Sequence, residues 1–411
     1  MDMFDVSALF QPLDLPCGVV LKNRIAKSAM SDSLGDGRGD PTAVQVRLYQ
    51  RWAEGGLAVS IIGEVQGTPH FAEKPGNLVL GPGADMARFR ELARAGRTNG
   101  AQLWLQLGHA GAMAYAPISD PKGPSALDIP GLRCSALTLA EVQALPQEFA
   151  RTARLAQDLG FGGVQVHAAH GFLLSQFLSP LFNRRGDRYG GSIANRMRLL
   201  LEVVAAVRDA VGPRFPVAIK LNATDQLQGG LVAEDALAVV EALQQTSVDL
   251  IDISGGTYFP GARSASDSGG SGPYFLDFAA RARSLTDVPL MLTGGIKTRR
   301  QALQARQQGV DVIGLARALA LNPDLPERWR TGRAADGAAE AMNLVFPRFT
   351  DPPEGGITAW YTMRLTEIGA DREAAEVGDL QQAVATYEAR DAARIEAWKA
   401  RARQFGAPEG S

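Results

Sequence analysis

The chain alternates short apolar runs with longer segments in which apolar residues recur at helical spacing. The apolar runs have the length of β-strands and lie at residues 25–30, 58–63, 101–107, 163–167, 217–222, 250–254, 289–293 and 312–315. Helical spacing is clear at residues 86–97, 141–159, 196–210, 234–244 and 299–308. Strands that are apolar throughout and separated by helices indicate a parallel sheet covered on both faces.

Eight such units favour a closed barrel over an open doubly wound sheet. An open sheet that binds a dinucleotide would carry a GxGxxG turn after its first strand, and this sequence has none there. We therefore predict an α/β protein with a (β/α)8 TIM barrel over residues 1–330 and a C-terminal helical extension over residues 331–411.

Two stretches fall outside the repeat. Residues 108–138, after the third strand, are rich in Gly, Pro and Ala, and they form a loop of the length that usually builds an active site. Residues 381–405 are predicted to form one long charged helix. We expect this helix to be solvated and packed on the outer ring of the barrel.

Composition mainly excludes classes of protein. The 411 residues are 45% hydrophobic, and a net charge of −2 gives no reason to expect binding to nucleic acid or an anionic membrane. Two cysteines, Cys17 and Cys134, argue against a disulfide scaffold and against zinc or iron–sulfur sites. The acidic start is unlike a signal peptide, and no apolar run approaches the ~20 residues of a membrane span. We expect a cytoplasmic protein.

The carboxyl ends of barrel strands build the reaction site in folds of this kind. The side chains at those ends are Met30, Ser31, Gly63, Glu64, Gln106, His167, His170, Lys220, Ser254, Thr293, Gly294, Gly295, Ala316 and Arg317. Glycines after the seventh strand let backbone N–H groups approach an anion, and Arg317 after the eighth adds charge-assisted hydrogen bonds. The pattern predicts a phosphate site, with ordinary turns as the alternative.

Several further motifs carry a resemblance to a known family. The segments LKNRI at 21–25, SAM at 28–30 and QLGHAG at 106–111 are similar to the first strands of the Old Yellow Enzyme family. The run from HAAHGF at 167–172 to SP at 179–180, followed by RYGGS and NR, resembles that family's most specific stretch. The resemblance extends from about residue 9 to residue 329, in the order expected around a barrel.

The resemblance implies an FMN cofactor, reduced by NADH or NADPH and bound over the strand ends. Gly294, Gly295, Ala316 and Arg317 would hold its phosphate. The residues implied along the ring are Ser28, Ala29, Met30, Ser31, Gly63, Glu64, Gln106 and Lys220.

Two of these positions have a chemical task at the ring. An amide at Gln106 suits the pyrimidine edge because it both donates and accepts hydrogen bonds; a polar plug in the barrel mouth is the alternative. Lys220 stands where most relatives have arginine, and its charge would stabilise the reduced ring. The alternative is a structural ion pair, with Glu64 as its expected partner, and we hypothesise that this carboxylate tunes the flavin.

The resemblance also implies a substrate pocket. His167 and His170 would hydrogen-bond the carbonyl oxygen of a substrate, which prepares its β-carbon for hydride. A metal site is disfavoured because the four histidines supply no nearby third ligand. Phe172 replaces the tyrosine that protonates the α-carbon in many relatives. Tyr258 and Tyr115 are candidate replacements, and a packed aromatic lid is the alternative.

The predicted function is reduction of activated C=C bonds in small molecules such as α,β-unsaturated carbonyls. Three alternatives remain: an FMN-dependent dehydrogenase of another small molecule, a catalytically weak flavin-binding barrel, and a barrel isomerase or aldolase without flavin. Family members often pair through barrel surfaces, so a homo-oligomer is a further expectation.

Overall fold

The computed structural model describes residues 5–262, 272–332, 344, 346–350, 352–353, 355–373 and 377–405. Eight parallel strands form a closed barrel, because the last strand pairs with the first and the first pairs with the second. In chain order β1 to β8 they are Ile25–Met30, Val59–Gln66, Gln102–Leu107, Gly163–Ala168, Val217–Asn222, Leu250–Ser254, Leu290–Thr293 and Val312–Leu315. The predicted (β/α)8 barrel is confirmed.

Helices surround the barrel and follow its strands. In chain order α1 to α11 they are Ala43–Glu54, Met86–Ala95, Leu139–Asp158, Leu173–Leu178, Ile193–Arg196, Arg198–Val211, Ala233–Gln244, Leu276–Arg283, Arg299–Gln307, Arg317–Leu321 and Leu325–Thr331. None of the described helices is long and apolar enough to cross a membrane. Strand and helix faces bury one continuous apolar layer between them, which explains why the strands are apolar on both sides.

The inside of the barrel is divided into an apolar end and a polar end. Ala26, Trp104, Ala218, Met291 and Val312 fill the end where the strands begin. A two-stranded hairpin, Leu13–Asp14 with Val20–Leu21, packs against that end. The polar side chains therefore lie in the other half of the barrel, toward the carboxyl ends of the strands.

The long segment after β3 has structure of its own. Its short strands Lys122–Gly123, Leu127–Ile129 and Leu132–Ala136 form a small three-stranded sheet. Phe182 and Phe259, from the regions after β4 and β6, pack against this sheet. The segment is thus anchored at the carboxyl end of the barrel.

The C-terminal extension contains two helices, α12 (Gly356–Gly369) and α13 (Leu380–Phe405). Helix α12 packs on α1, in the outer ring. The predicted long helix is confirmed as α13, but its predicted place on the outer ring is wrong. Trp398 of α13 is fully buried, and its indole nitrogen donates to the backbone oxygen of Pro69, 2.9 Å away. Arg401 is also buried and forms an ion pair with Asp40. Helix α13 therefore covers the loops after β1 and β2, at the carboxyl face of the barrel.

Candidate active site

A buried polar network occupies the carboxyl half of the barrel interior. The ammonium of Lys220, on β5, donates to the hydroxyl of Ser28 on β1 (2.7 Å) and to a carboxylate oxygen of Asp252 on β6 (3.0 Å). The amide of Gln165 on β4 donates to the same carboxylate oxygen of Asp252 (3.1 Å). The other carboxylate oxygen of Asp252 accepts from the hydroxyl of Thr293 on β7 (2.6 Å). Lys220 and Asp252 are at most 1% exposed. The network joins five strands around one buried ion pair.

The ion pair adds one residue to the site. Lys220 is paired with Asp252, and the predicted pairing of Lys220 with Glu64 stays a prediction. Glu64 lies within β2, but its side chain is outside the described residues. Asp252 was missed, although a lone aspartate in the apolar strand LIDIS was a visible signal, because an unpaired charge is rarely buried.

Gln106 extends the network to β3. Its amide nitrogen donates to the side-chain oxygen of Gln165, 2.8 Å away, and the residue is 2% exposed. None of the described residues donates to the side-chain oxygen of Gln106. The amide is therefore held in one orientation and keeps an acceptor for a ligand, which fits the predicted role better than a plug.

His167 and His170 lie close together at the end of β4, with ring centroids 5.5 Å apart. His170 has a positive φ of 61°, and its backbone N–H is held by the side chain of Asn222 on β5. Its Nε2 is 2.9 Å from the hydroxyl of Ser254 on β6. His167 is 2% exposed, and its Nδ1 has no partner among the described residues. This buried and unpaired nitrogen is available to a ligand.

Burial keeps both imidazoles neutral. Desolvation is the main cause that holds the pKa of His167 well below its usual value, and electrostatic repulsion of a second proton by His170 and Lys220 adds to it. Desolvation, with the charge of Lys220, lowers the pKa of His170 to about 3. A neutral imidazole carries one N–H, so each histidine donates one hydrogen bond at neutral pH.

The three aromatic residues predicted for the substrate pocket lie in two different parts of the structure. Phe172 is buried, with its ring centroid 4.7 Å from that of His167 and 6.0 Å from that of Tyr258. Tyr258 is 57% exposed and lines a cavity together with His170. Tyr115 packs beside Trp398 under α13 and does not line this cavity.

That cavity runs from His170 across the ends of β6, β7 and β8. Its lining also includes Gly294, Gly295, Ala316 and Arg317, so the predicted phosphate residues and a predicted substrate residue share one space. Gly294 and Gly295 have φ of 119° and 78°, in the region that favours glycine. A Cβ on Gly295 would overlap the backbone oxygen of Gly272, so a side chain there has no room.

Two cations face this end of the cavity. Arg317 was predicted, and Lys297, which lines the same space, was missed. Neither forms an ion pair with a carboxylate of the described residues. Helix α9 begins two residues after Lys297, with a capping box between Thr298 and Gln301. The side chain of Gln301 also accepts a hydrogen bond from the backbone N–H of Lys297. Unpaired cations beside a glycine turn fit an anionic group such as a cofactor phosphate.

The other residues assigned to the ring edge lie at the ends of β1 and β2, and they are not among the residues that line this cavity. Ser28 belongs to the buried network, while Ala29, Met30 and Ser31 are half-buried at the end of β1. A Cβ on Gly63 would overlap the backbone of Met30, so β1 and β2 approach closely there. The glycine turn and the cations at the strand ends thus fit a phosphorylated cofactor.

Comparisons with known proteins match nearly the whole barrel. The model of the NADH:flavin oxidoreductase / NADH oxidase family matches residues 8–336. The NADH-dependent flavin oxidoreductase iliE of Hypocrea jecorina (strain QM6a) is 35% identical over an alignment 352 residues long, and the match covers 77% of this chain and 87% of that protein.

Solved structures agree with this match. The old yellow enzyme homologue from Zymomonas mobilis superposes with a TM-score of 0.70 at 25% identity, covering 83% of this chain and 97% of that one. Morphinone reductase gives a TM-score of 0.69 at 26% identity, with 85% and 97% covered.

Proposed function

The chain belongs to the NADH:flavin oxidoreductase / NADH oxidase family, the Old Yellow Enzyme family, and from this premise we propose that it uses FMN to reduce activated C=C bonds with NADH or NADPH. Membership itself makes the protein a flavin-dependent oxidoreductase. The substrate class, the choice of FMN and the roles of individual residues belong to the proposal.

The observation that carries the proposal is the single cavity that joins His170 to the cradle of Gly294, Gly295, Lys297 and Arg317. A cofactor held by its phosphate in this cradle would share one cavity with His170. The chemistry that FMN supplies when bound is hydride transfer between the nicotinamide and the alkene. The surrounding side chains bind, orient and polarise.

His167 and His170 are proposed to donate hydrogen bonds to the carbonyl oxygen of the substrate. These bonds withdraw electron density from the β-carbon and strengthen as negative charge develops on the oxygen. His167 has a buried Nδ1 without a partner in the described residues, and His170 is oriented by Ser254. Both are neutral at pH 7, which suits hydrogen-bond donation rather than acid catalysis.

Lys220 is proposed to lie near the pyrimidine end of the ring, with Gln106 beside it. Its positive charge favours the reduced, more negative ring. Because Asp252 neutralises part of that charge, we expect a lower reduction potential than an unpaired cation would give.

Reduction of the alkene requires a proton at the α-carbon as well as a hydride at the β-carbon. Phe172 has no proton to donate. Tyr258 lines the cavity, its ring is 6.0 Å from that of Phe172, and its exposure gives it access to solvent protons. We therefore propose that the hydroxyl of Tyr258 donates the proton to the α-carbon and that solvent water then reprotonates Tyr258.

Stopped-flow absorbance of the flavin tests the proposal. The protein is reduced anaerobically with NADH or NADPH and mixed with 2-cyclohexenone. We expect rapid reoxidation, slowed by at least tenfold in His167→Ala and His170→Ala, because each removes a donor to the developing oxyanion. The matched control is His70→Gln, since His70 lines a different cavity, together with Lys399 and Arg403 of α13.

The possible outcomes separate the alternatives. A flavin that is reduced and then stays reduced with the enone would contradict alkene reduction and favour a dehydrogenase or a weak flavin barrel. Reoxidation that is equally fast in both histidine variants would contradict their assigned role. A Tyr258→Phe variant that reoxidises at the wild-type rate would remove Tyr258 as the proton source.

A further inference from the structure

Both cations of the proposed phosphate site rest on aromatic rings from the C-terminal extension. The guanidinium carbon of Arg317 is 5.7 Å from the ring centroid of Tyr361, on α12. The ammonium of Lys297 is 5.3 Å from the ring centroid of Phe346. Phe346 and Tyr361 lie beyond residue 336, where the match to the family ends. The contacts therefore come from a part of this chain that the family pattern does not cover.

The contact with Tyr361 is firmly built. Tyr361 is 4% exposed, and α12 packs against α10, the short helix that begins with Arg317. Arg364, one turn further along α12, donates to the backbone oxygen of Ala320 in α10, 3.2 Å away. The ring is thus fixed relative to the backbone that carries the guanidinium.

Unlike Tyr361, Phe346 itself lines the cavity. It is half-buried and packs against the edge of the main apolar core. Lys297 is held from the backbone side by Gln301, so the ring of Phe346 acts on the flexible end of the side chain. The two contacts lie on the two cations that face Gly294 and Gly295.

An aromatic ring does what a carboxylate partner could not do at this place. A carboxylate would fix the cation but would cancel its charge and compete with an incoming phosphate. The face of a ring attracts the cation through its quadrupole and leaves both the net charge and the N–H groups available. Neither Lys297 nor Arg317 has a carboxylate partner in the part of the chain that the structure describes.

We propose that the C-terminal extension completes the phosphate end of the cofactor site, with Phe346 and Tyr361 positioning Lys297 and Arg317 for the anion. This inference rests on the proposed use of FMN. It makes affinity for the phosphorylated flavin depend on two residues outside the family-matched region, both of which act through the cations.

Titration of the flavin-free protein with FMN and with riboflavin, followed by flavin fluorescence, tests the inference. Riboflavin has the same ring and no phosphate. In Phe346→Leu and Tyr361→Leu we expect the Kd for FMN to rise about three- to tenfold, the usual range for a partly desolvated cation–π contact. The Kd for riboflavin should stay within twofold of wild type. Tyr361→Phe keeps the ring and should bind FMN like wild type.

Tyr387→Leu is the matched control. Tyr387 lies in α13 of the same extension and also contacts cations, Lys74 and Arg390, but it does not line the cavity. Its loss should leave both Kd values unchanged. Phe346→Leu removes only a half-buried ring, so circular dichroism should show an intact fold even if Tyr361→Leu proves unstable.

Each outcome has one meaning. A rise for FMN alone in the two leucine variants supports the inference. Wild-type FMN affinity in a folded Phe346→Leu and Tyr361→Leu overturns it. An equal rise for FMN and riboflavin also overturns it, because the extension would then support the fold rather than the phosphate. A wild-type protein that binds neither flavin would instead contradict the proposed function.

Discussion

Lys220 is a buried charge that is proposed to act on the ring, and Asp252 accompanies it at 3.0 Å. In Lys220→Met we expect a more negative flavin reduction potential, because the cation is lost and the carboxylate remains. If the reduced flavin loses ~1.4 kcal/mol of stabilisation, the potential of a two-electron couple falls by about 30 mV. We therefore expect a shift of some tens of millivolts. Dye-coupled reductive titration measures it.

The control for this shift is Lys220→Arg, which keeps the charge next to Asp252 and should keep the potential near that of wild type. Arginine has a larger planar head group, so catalysis can change even when the potential does not. A Lys220→Met protein whose potential equals that of wild type would show that Lys220 has only a structural role.

His109 links burial to stability in acid. It is 7% exposed, its Nδ1 accepts from the backbone of Gly111, and burial lowers its pKa to about 3. Between pH 3 and its unfolded pKa near 6.5 the unfolded chain binds a proton that the folded protein does not. The free energy of unfolding therefore falls as the pH falls through this window.

We expect His109→Asn to reduce the slope of the free energy of unfolding against pH by up to ~1.4 kcal/mol per pH unit, which corresponds to one proton. The asparagine oxygen can still accept from Gly111. Urea unfolding at pH 5, 6 and 7 measures the slope, and the slope rather than the absolute stability is the quantity compared. His70→Asn should change it less, because burial is only partial there. Parallel pH profiles for wild type and His109→Asn would contradict the assignment.

At the scale of elements, the barrel could be predicted from the sequence because its strands are buried on both faces and are therefore apolar throughout. Residues 25–30, 217–222, 250–254 and 312–315 were predicted with the bounds that the structure has, since apolar runs end where polar loops begin. Strand ends in a barrel converge, so Ser28, Gln106, His170, Lys220 and Arg317 could be grouped before any contact was known.

The contacts that could not be predicted join side chains distant in sequence. Asp252 pairs with Lys220, and Tyr361 lies under Arg317, but nothing in the local pattern of either residue selects its partner. Helix α13 shows the same limit. Its charged sequence predicts a helix with nearly the right bounds, yet Trp398 and Arg401 are buried because loops from the barrel face cover them.

For the whole molecule, Trp398 is one of the residues that attach α13 to the carboxyl face. It is fully buried, packs with Ala72, Val79 and Ile118, and donates to the oxygen of Pro69. Trp398→Ala should lower the local stability by about 3–5 kcal/mol, the range that is typical when a large buried side chain is replaced by a cavity. Because the barrel has its own core, we expect α13 and the loop after β2 to open while β4 and β5 stay closed.

Hydrogen exchange measured by mass spectrometry distinguishes these regions. In Trp398→Ala, peptides from residues 67–80 and 380–405 should exchange faster, whereas peptides from β4 and β5 should remain at the wild-type rate. Lys399→Ala is the control on the same turn, because it removes only a partly exposed ion pair with Glu396 and should change exchange little. Faster exchange throughout the barrel would mean that α13 is an integral part of the global fold. Unchanged exchange in residues 67–80 would mean that the loop is held without it.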